Sequence, residues 1–161
     1  MTHDLAAVRQ LTDDIAIARR RAAVAQAELA VACLRYADAR AAADRQANSA
    51  GGPGRARPGE FVADEVSLVM REQPFVVRRL LARSRRLTAD LPTVWQAFRS
   101  GDLDAEQVRM IDRVARRITE PHTLAAVDDQ VVEAAQTRCP KQLGWPSGGS
   151  PWCRARTGWA M

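Results

Sequence analysis

The sequence contains very few lysine, histidine and aromatic residues. Lys141 is the single lysine among 24 basic residues, His3 and His122 are the two histidines, and eight of 161 residues are aromatic. The apolar residues are mostly small, with 30 alanines, which suits close helix packing better than the core of a β-sandwich. The length allows one ordinary domain, or a small helical domain with a long helix, and excludes two full-sized domains.

Cysteine is also scarce, and long hydrophobic runs are absent. Cys33, Cys139 and Cys153 are an odd number, are widely spaced and form no C-x-x-C pair, so neither a disulfide framework nor a zinc site is indicated. The N-terminus has no basic segment followed by an apolar core, and no stretch is long enough to span a membrane. We therefore expect a cytoplasmic protein without a membrane partner.

Arginine is abundant, and it gives the chain a formal net charge of +5 and a pI near 10.0. Such a charge is typical of proteins that bind polyanions. However, a chain rich in Arg and Ala and poor in Lys is also what a G+C-rich coding sequence produces. Residues 51–100 carry a net charge of +4 and residues 101–138 a net charge of −3, so a phosphate contact is expected in the first of these segments or in the basic C-terminal tail.

The first 47 residues carry a heptad pattern, in which apolar residues recur at alternating steps of three and four. The eleven positions, here called the heptad face, are Val8, Leu11, Ile15, Ala18, Ala22, Ala25, Leu29, Ala32, Tyr36, Ala39 and Ala43. No proline or glycine interrupts residues 4–47, so the pattern predicts one long helix over residues 1–47, about 60 Å in length.

The heptad face needs a surface to pack against, and two arrangements are open. It packs on later helices of the same chain, or it forms a homodimeric coiled coil with a second copy. In the second arrangement the larger side chains of the face would hold the dimer together: Val8, Leu11, Ile15, Leu29 and Tyr36.

Residues 48–59, NSAGGPGRARPG, predict a flexible linker before a helical domain over residues 60–143. Helix starts are indicated by Pro74, Pro92 and Pro121 and by a capping box of Asp104 with Gln107. Five apolar stripes should pack together, and their members are Val62, Val66, Val69 and Met70; Val77, Leu80, Leu81, Ser84, Leu87 and Leu91; Val94, Trp95 and Phe98; Val108, Ile111, Val114, Ala115 and Ile118; and Leu124, Val127, Val131 and Ala135. The predicted fold class is therefore all-α.

Residues 144–161 follow neither a helical nor a strand period, and they contain three of the four tryptophans and no acidic residue. A shift of the reading frame turns the Trp and Ser codons into apolar ones and the Gly codons into Arg, Trp or Gly, which restores an amphipathic helical pattern. We interpret residues 144–161 as an out-of-frame, disordered tail. The alternative is a basic, Trp-rich tail that inserts into a membrane surface or stacks on bases.

Several sequence elements between residues 61 and 143 carry a family resemblance. They are FVADEVSLVM, RRLTADLP, WQAFRSGDLDAEQVRMID, ITEPHTL and VDDQVVEAAQTRCPKQL. In this order and spacing they resemble the actinobacterial 13E12 repeat family, whose shared region is domain of unknown function number 222. The resemblance implies an all-α domain that, in full-length members, precedes an HNH endonuclease module.

The nuclease module itself has no counterpart in this sequence. An HNH site needs at least two histidines, usually with an asparagine, to hold a divalent metal, whereas His3 and His122 stand apart and without partners. The sequence ends where the helix after KQL should run. We therefore predict a truncated, non-catalytic domain with no catalytic residue, no metal, no cofactor and no small-molecule substrate.

The remaining functional predictions concern binding. Weak, sequence-independent DNA contact is predicted for the arginines of one helix, which are Arg78, Arg79, Arg83, Arg85 and Arg86. The alternative is a solvated face on an arginine-rich protein.

A second nucleic-acid interpretation is a helix-turn-helix around Gly101, with Gln107, Arg109, Arg113 and Arg116 on its second helix. The acidic residues early in that helix and the arginines late in it also fit simple complementation of the helix dipole. The alternative function for the whole chain is a self-association module in which nucleic acid plays no part.

Overall fold

The computed structural model describes residues 2–51 and 57–137, with the side chains of residues 5–51 and 57–135. Within these ranges the chain forms helices only, so the all-α prediction is confirmed. The helices are α1 (Thr2–Ser49), α2 (Val62–Met70), α3 (Pro74–Asp90), α4 (Pro92–Arg99), α5 (Ala105–Ala115) and α6 (Pro121–Thr137). The predicted tail at 144–161 lies outside the described residues, and so does Cys139-Pro140, where the sequence also indicates a helix start.

Four helices begin where the prolines and the capping residues of the sequence predict. Pro74 and Pro92 occupy first-turn positions of α3 and α4, and α6 begins at Pro121. At the start of α5, the Asp104 carboxylate accepts hydrogen bonds from the backbone N–H groups of Glu106 and Gln107. The Gln107 side chain accepts one from the Asp104 N–H at 2.9 Å, which completes the predicted capping box.

The core has two parts, and the second half of α1 contributes to both. One cluster gathers residues of α3, α4, α5 and α6 around Leu87, Val94 and Leu103, and Ala27 of α1 joins it. The other packs α2 and α3 against Cys33 and Ala37 of α1. The small side chains of α1 let the other helices lie close to its backbone.

Two residues of the predicted stripes are exposed rather than buried. Val69 of α2 is 85% exposed and Val114 of α5 is 52% exposed, so their assignment to buried faces is wrong. The short α2 buries Val62, Ala63 and Val66 instead, because its contact with α1 and α3 lies on that side of the helix.

None of the described helices buries the heptad face, so the packing expected in the first alternative is not found in the described part of the chain. All eleven of its positions are exposed. The face that packs contains Cys33 and the buried alanines Ala23, Ala27, Ala30 and Ala37. Because alanine occurs on several sides of α1, a count of apolar positions does not reveal which side other helices will cover.

Candidate functional site

The N-terminal part of α1 extends past the other helices. Every side chain from Leu5 to Arg21 is exposed. Among the described residues, the first ion pair that joins α1 to another helix or turn involves Arg19, which contacts Asp104. At about 1.5 Å per residue, the segment before Arg19 is roughly 25 Å long. Large aliphatic side chains on this segment therefore face solvent.

Three members of the heptad face are among these aliphatic side chains. Val8, Leu11 and Ile15 are 52%, 62% and 68% exposed. They share one side of the helix because they are spaced by three and four residues. An apolar strip of this kind, which none of the described residues covers, is typical of a contact surface for another protein.

The later members of the heptad face have a different environment. Tyr36 donates a hydrogen bond from its hydroxyl to the Glu65 carboxylate of α2 at 2.8 Å, and this bond raises the pKa of Tyr36. Leu29 borders a cleft beside α3 and α5. Both side chains thus lie at the edge of the bundle, whereas Val8, Leu11 and Ile15 lie beyond it.

The five arginines predicted to bind phosphate fall into different environments along α3. Arg78 and Arg79 are exposed and form no ion pair with the described residues. Arg85 lies 3.5 Å from a carboxylate oxygen of Asp38 on α1. Arg86 contacts Asp112 on α5, and Arg83 is half-buried.

Asp112 is a buried carboxylate that joins α3 to α5. It accepts hydrogen bonds from Nε of Arg86 at 2.7 Å and from Nη2 of Arg116 at 2.9 Å. Within the described part of the chain, Nη2 of Arg86 is buried without a hydrogen-bond partner. Arg86 therefore holds α3 against α5, whereas Arg116 pairs with Asp112 four residues before it, at the end of α5.

Arg83 lies among other cations. Burial lowers the pKa of its guanidinium, and the nearby positive charges of Arg109, Arg79 and Arg116 lower it further, while Asp112 acts in the opposite direction. No ion pair involving Arg83 occurs among the described residues. Sequence spacing on α3 alone does not reveal this cluster, because Arg109 lies on α5 and Arg116 directly follows α5.

The predicted recognition helix of a helix-turn-helix is α5, and two of its four named residues have structural contacts inside the molecule. Gln107 is buried, and its Nε2 donates to the backbone carbonyl of Ala135 on α6 at 2.9 Å. Arg116 contacts Asp112, as described above. Arg109 contacts the neighbouring Glu106 at 2.6 Å on the exposed side of the helix.

His122 is located at the start of α6 and is mostly solvated. Its side chain is 82% exposed, and Nδ1 lies 4.0 Å from the Glu120 carboxylate. In the part of the chain that the structure describes, no group of three or more His, Cys, Asp or Glu side chains is placed to hold a metal ion. None of the helices described here combines the length and hydropathy needed to cross a membrane.

Comparisons with known proteins place the chain in one family. A search of curated proteins and a search of solved structures each gave no match. The family model described as "Domain of unknown function (DUF222)" matches residues 9–142, which includes most of α1 and all of α2 to α6. With five-sixths of its length matched, and with the helical order described above, the chain belongs to the DUF222 family.

Proposed function

We propose that this domain is a non-catalytic self-association module and that the N-terminal part of α1 is its contact surface. The observation that supports the proposal is the exposure of Val8, Leu11 and Ile15 on one side of a helical segment that the described helices α2 to α6 do not cover. Pairing with a second helix removes this apolar surface from water, which stabilises a dimer by the hydrophobic effect. Tyr36, predicted as part of the dimer, is not needed in this pairing because it contacts Glu65.

The order of side-chain sizes along the heptad face favours an antiparallel pair. Val8, Leu11 and Ile15 come first, and the next three positions are small. These are Ala18, Ala22 and Ala25. When two copies run in opposite directions, the large side chains of each lie against the alanines of the other, so the layers between the helices are filled evenly.

Charge along the same segment also favours a second copy as the partner. Asp14 and Arg21 lie beside the heptad face, seven residues apart, on the same side of the helix. In the antiparallel arrangement, Asp14 of one copy lies next to Arg21 of the other, and each dimer contains this pair twice. Arg19 and Arg20 are not required, since they contact Asp104 and Asp102 of their own chain.

Weak DNA binding through α3 is the other predicted function, and it has less support. Arg85 and Arg86 contact carboxylates of the same chain, which leaves Arg78, Arg79 and Arg83 from the predicted set. The association with an HNH endonuclease that the family resemblance implies is compatible with self-association, because in full-length members a dimer would bring two attached modules together.

The proposal is tested by a matched pair of substitutions, Ile15→Asn and Ile17→Asn. Ile15 lies on the heptad face, whereas Ile17 is exposed on a different side of the same turn. Sedimentation equilibrium over a range of protein concentrations should show a dimer for the unmodified chain. We expect Ile15→Asn to weaken the dimer by about tenfold or more, because each dimer then carries two polar groups in its contact surface.

Ile17→Asn serves as the control and should leave the dimerisation constant within about twofold, since Ile17 takes no part in the pairing. A chain that sediments as a monomer at every concentration would contradict the proposal. Equal weakening of the dimer by both substitutions would mean that dimerisation depends on the overall apolar character of the helix and not on the heptad face.

A further inference from the structure

A cleft opens between α1, α3 and α5 on the side of the bundle where Arg83 lies. Its volume is about 430 Å³, which lies within the range of small-molecule sites. Its walls combine apolar side chains, including Leu29, Phe75 and Leu80, with three arginines. These are Arg79, Arg83 and Arg109. The cleft thus offers positive charge and apolar surface together.

The arginines of the cleft carry more positive charge than the acidic side chains of the described residues neutralise. Glu72 is the only acidic residue among the described residues that line the cleft, and Glu106 contacts Arg109 from its edge. Arg83 has no ion pair among the described residues, although it is half-buried and three other arginines act on it. Holding a partly desolvated guanidinium beside like charges is costly, and an anion in the cleft would offset that cost.

The cleft's lining indicates what kind of anion would fit. A guanidinium presents a planar set of donors that matches the two oxygens of a carboxylate or a phosphate. The apolar walls favour a ligand whose oxyanion is attached to a hydrocarbon body, because that body would then leave water. A nucleic-acid backbone has no such body and instead presents one solvated phosphate after another.

We propose that the cleft between α1, α3 and α5 binds an amphiphilic oxyanion, with the carboxylate or phosphate held by Arg83, Arg79 and Arg109 and the hydrocarbon part against Leu29, Phe75 and Leu80. This inference is independent of self-association, because it depends on different side chains. It also departs from the sequence-based expectation of no small-molecule substrate, which was drawn from the missing nuclease module.

The test measures binding to the full chain by isothermal titration calorimetry with four probes. Decanoate has a carboxylate and a hydrocarbon tail, and decyl phosphate has a phosphate in place of the carboxylate. Acetate has the carboxylate without the long tail, and decanol has the tail without an anionic group. We expect saturable binding of decanoate or decyl phosphate, and the tighter of the two identifies the preferred head group. Acetate and decanol should bind at least about tenfold more weakly, since each lacks one half of the interaction.

Arg83→Met is expected to weaken binding of the preferred probe by about tenfold or more, because a charge-assisted hydrogen bond is lost. Arg78→Met is the matched control. Arg78 is on the same helix but borders a different surface with Gly59 and Arg85, so its substitution should change affinity by less than about twofold. Arg79→Met, at an exposed position, gives a second measurement that does not depend on the folding of the Arg83 variant and should weaken binding severalfold.

Three results would overturn the proposal. One is unchanged affinity in both Arg83→Met and Arg79→Met. Another is decanol binding as tightly as decanoate, which would show that the arginines contribute nothing. The third is displacement of decanoate by short duplex DNA that itself binds in a salt-sensitive, Arg83-dependent way, which would assign the cleft to nucleic acid instead.

Discussion

Gly101 allows the turn between α4 and α5 to approach the backbone of α1. Its φ of +79° belongs to the left-handed region, where residues with a Cβ are strained. A Cβ at this position would lie 2.7 Å from Cγ and 2.8 Å from the carbonyl oxygen of Arg20, and 2.9 Å from Val24. The carbonyl oxygen belongs to the helix backbone and cannot rotate away. The same arginine donates from Nε to the carbonyl of Ser100 at 3.0 Å, so the turn and α1 are held together at this residue.

Gly101→Ala is predicted to destabilise the protein by about 2–4 kcal/mol, from backbone strain together with the clash against α1. Gly59→Ala is the matched control. Its φ is +77°, but an added Cβ would meet its nearest atoms at 3.5 and 3.7 Å, which is ordinary contact. Backbone strain alone is then expected to lower the free energy of unfolding, by about 1 kcal/mol. Urea denaturation of both variants measures the difference, and equal losses would show that the approach to α1 is less tight than described.

At the scale of the helices, α4 is capped by a side chain from another helix. Asp128 of α6 is buried, and its carboxylate accepts hydrogen bonds from the backbone N–H groups of Thr93 at 2.8 Å and Val94 at 3.0 Å. The residue preceding α4 is Leu91, which forms no side-chain cap of its own. The carboxylate also lies at the positive end of the α4 dipole. The contact therefore fixes the packing of α4 against α6.

Asp128→Ala is predicted to lower the free energy of unfolding by about 1–3 kcal/mol, because it leaves the buried Val94 N–H without an acceptor. Asp129→Ala provides the control at the adjacent, exposed position, where a change within about 0.5 kcal/mol is expected. Chemical denaturation monitored by circular dichroism gives both values. Similar effects at the two positions would rule out Asp128 as the cap of α4.

For the whole molecule, α1 has two parts with separate roles. Its second half packs into both core clusters through Ala27, Cys33 and Ala37, whereas the segment before Arg19 makes no ion pair with the rest of the described chain. The fold of the bundle should therefore not depend on the first segment. Association between copies, in the function proposed above, should depend on it completely.

Removal of residues 2–18 is predicted to change the free energy of unfolding of the monomer by less than about 1 kcal/mol, since the deleted side chains from Leu5 onward are all exposed. The same deletion should abolish the dimer. Denaturation at a protein concentration below the dimerisation constant, together with sedimentation equilibrium, separates these two effects. A deletion that unfolds the bundle would show that α1 acts as a single structural unit.

Local signals in the sequence were sufficient for the starts of four helices, α3 to α6, whereas α1 runs to Ser49, two residues into the predicted linker. These signals are the prolines at 74, 92 and 121 and the capping box of Asp104 with Gln107. Each acts within one turn of backbone, so the helices begin at the predicted residues. The apolar stripe of α3, centred on Val77, Leu81 and Leu87, was also correct because a 17-residue helix with a high contrast between its two sides has only one side to bury.

The contacts between helices could not be predicted in the same way. Alanine lies all around α1, and replacing one alanine face by another changes the buried area very little, so the heptad spacing identified a side that the bundle leaves uncovered. Asp112 and Asp128 resemble ordinary surface acids in the sequence, and only the approach of α3 and α4 turns them into buried acceptors.

The amino-acid sequence by itself determined that this chain is helical, where α3, α4, α5 and α6 begin, and which family it resembles, because these properties depend on neighbours within a few residues or on the order of such elements. The tertiary structure alone decided which face of α1 packs, which arginines are engaged by Asp112 and Asp38, and that Arg83 borders a cleft with Arg79 and Arg109. These outcomes depend on residues more than twenty positions apart, whose meeting is set by how whole helices pack.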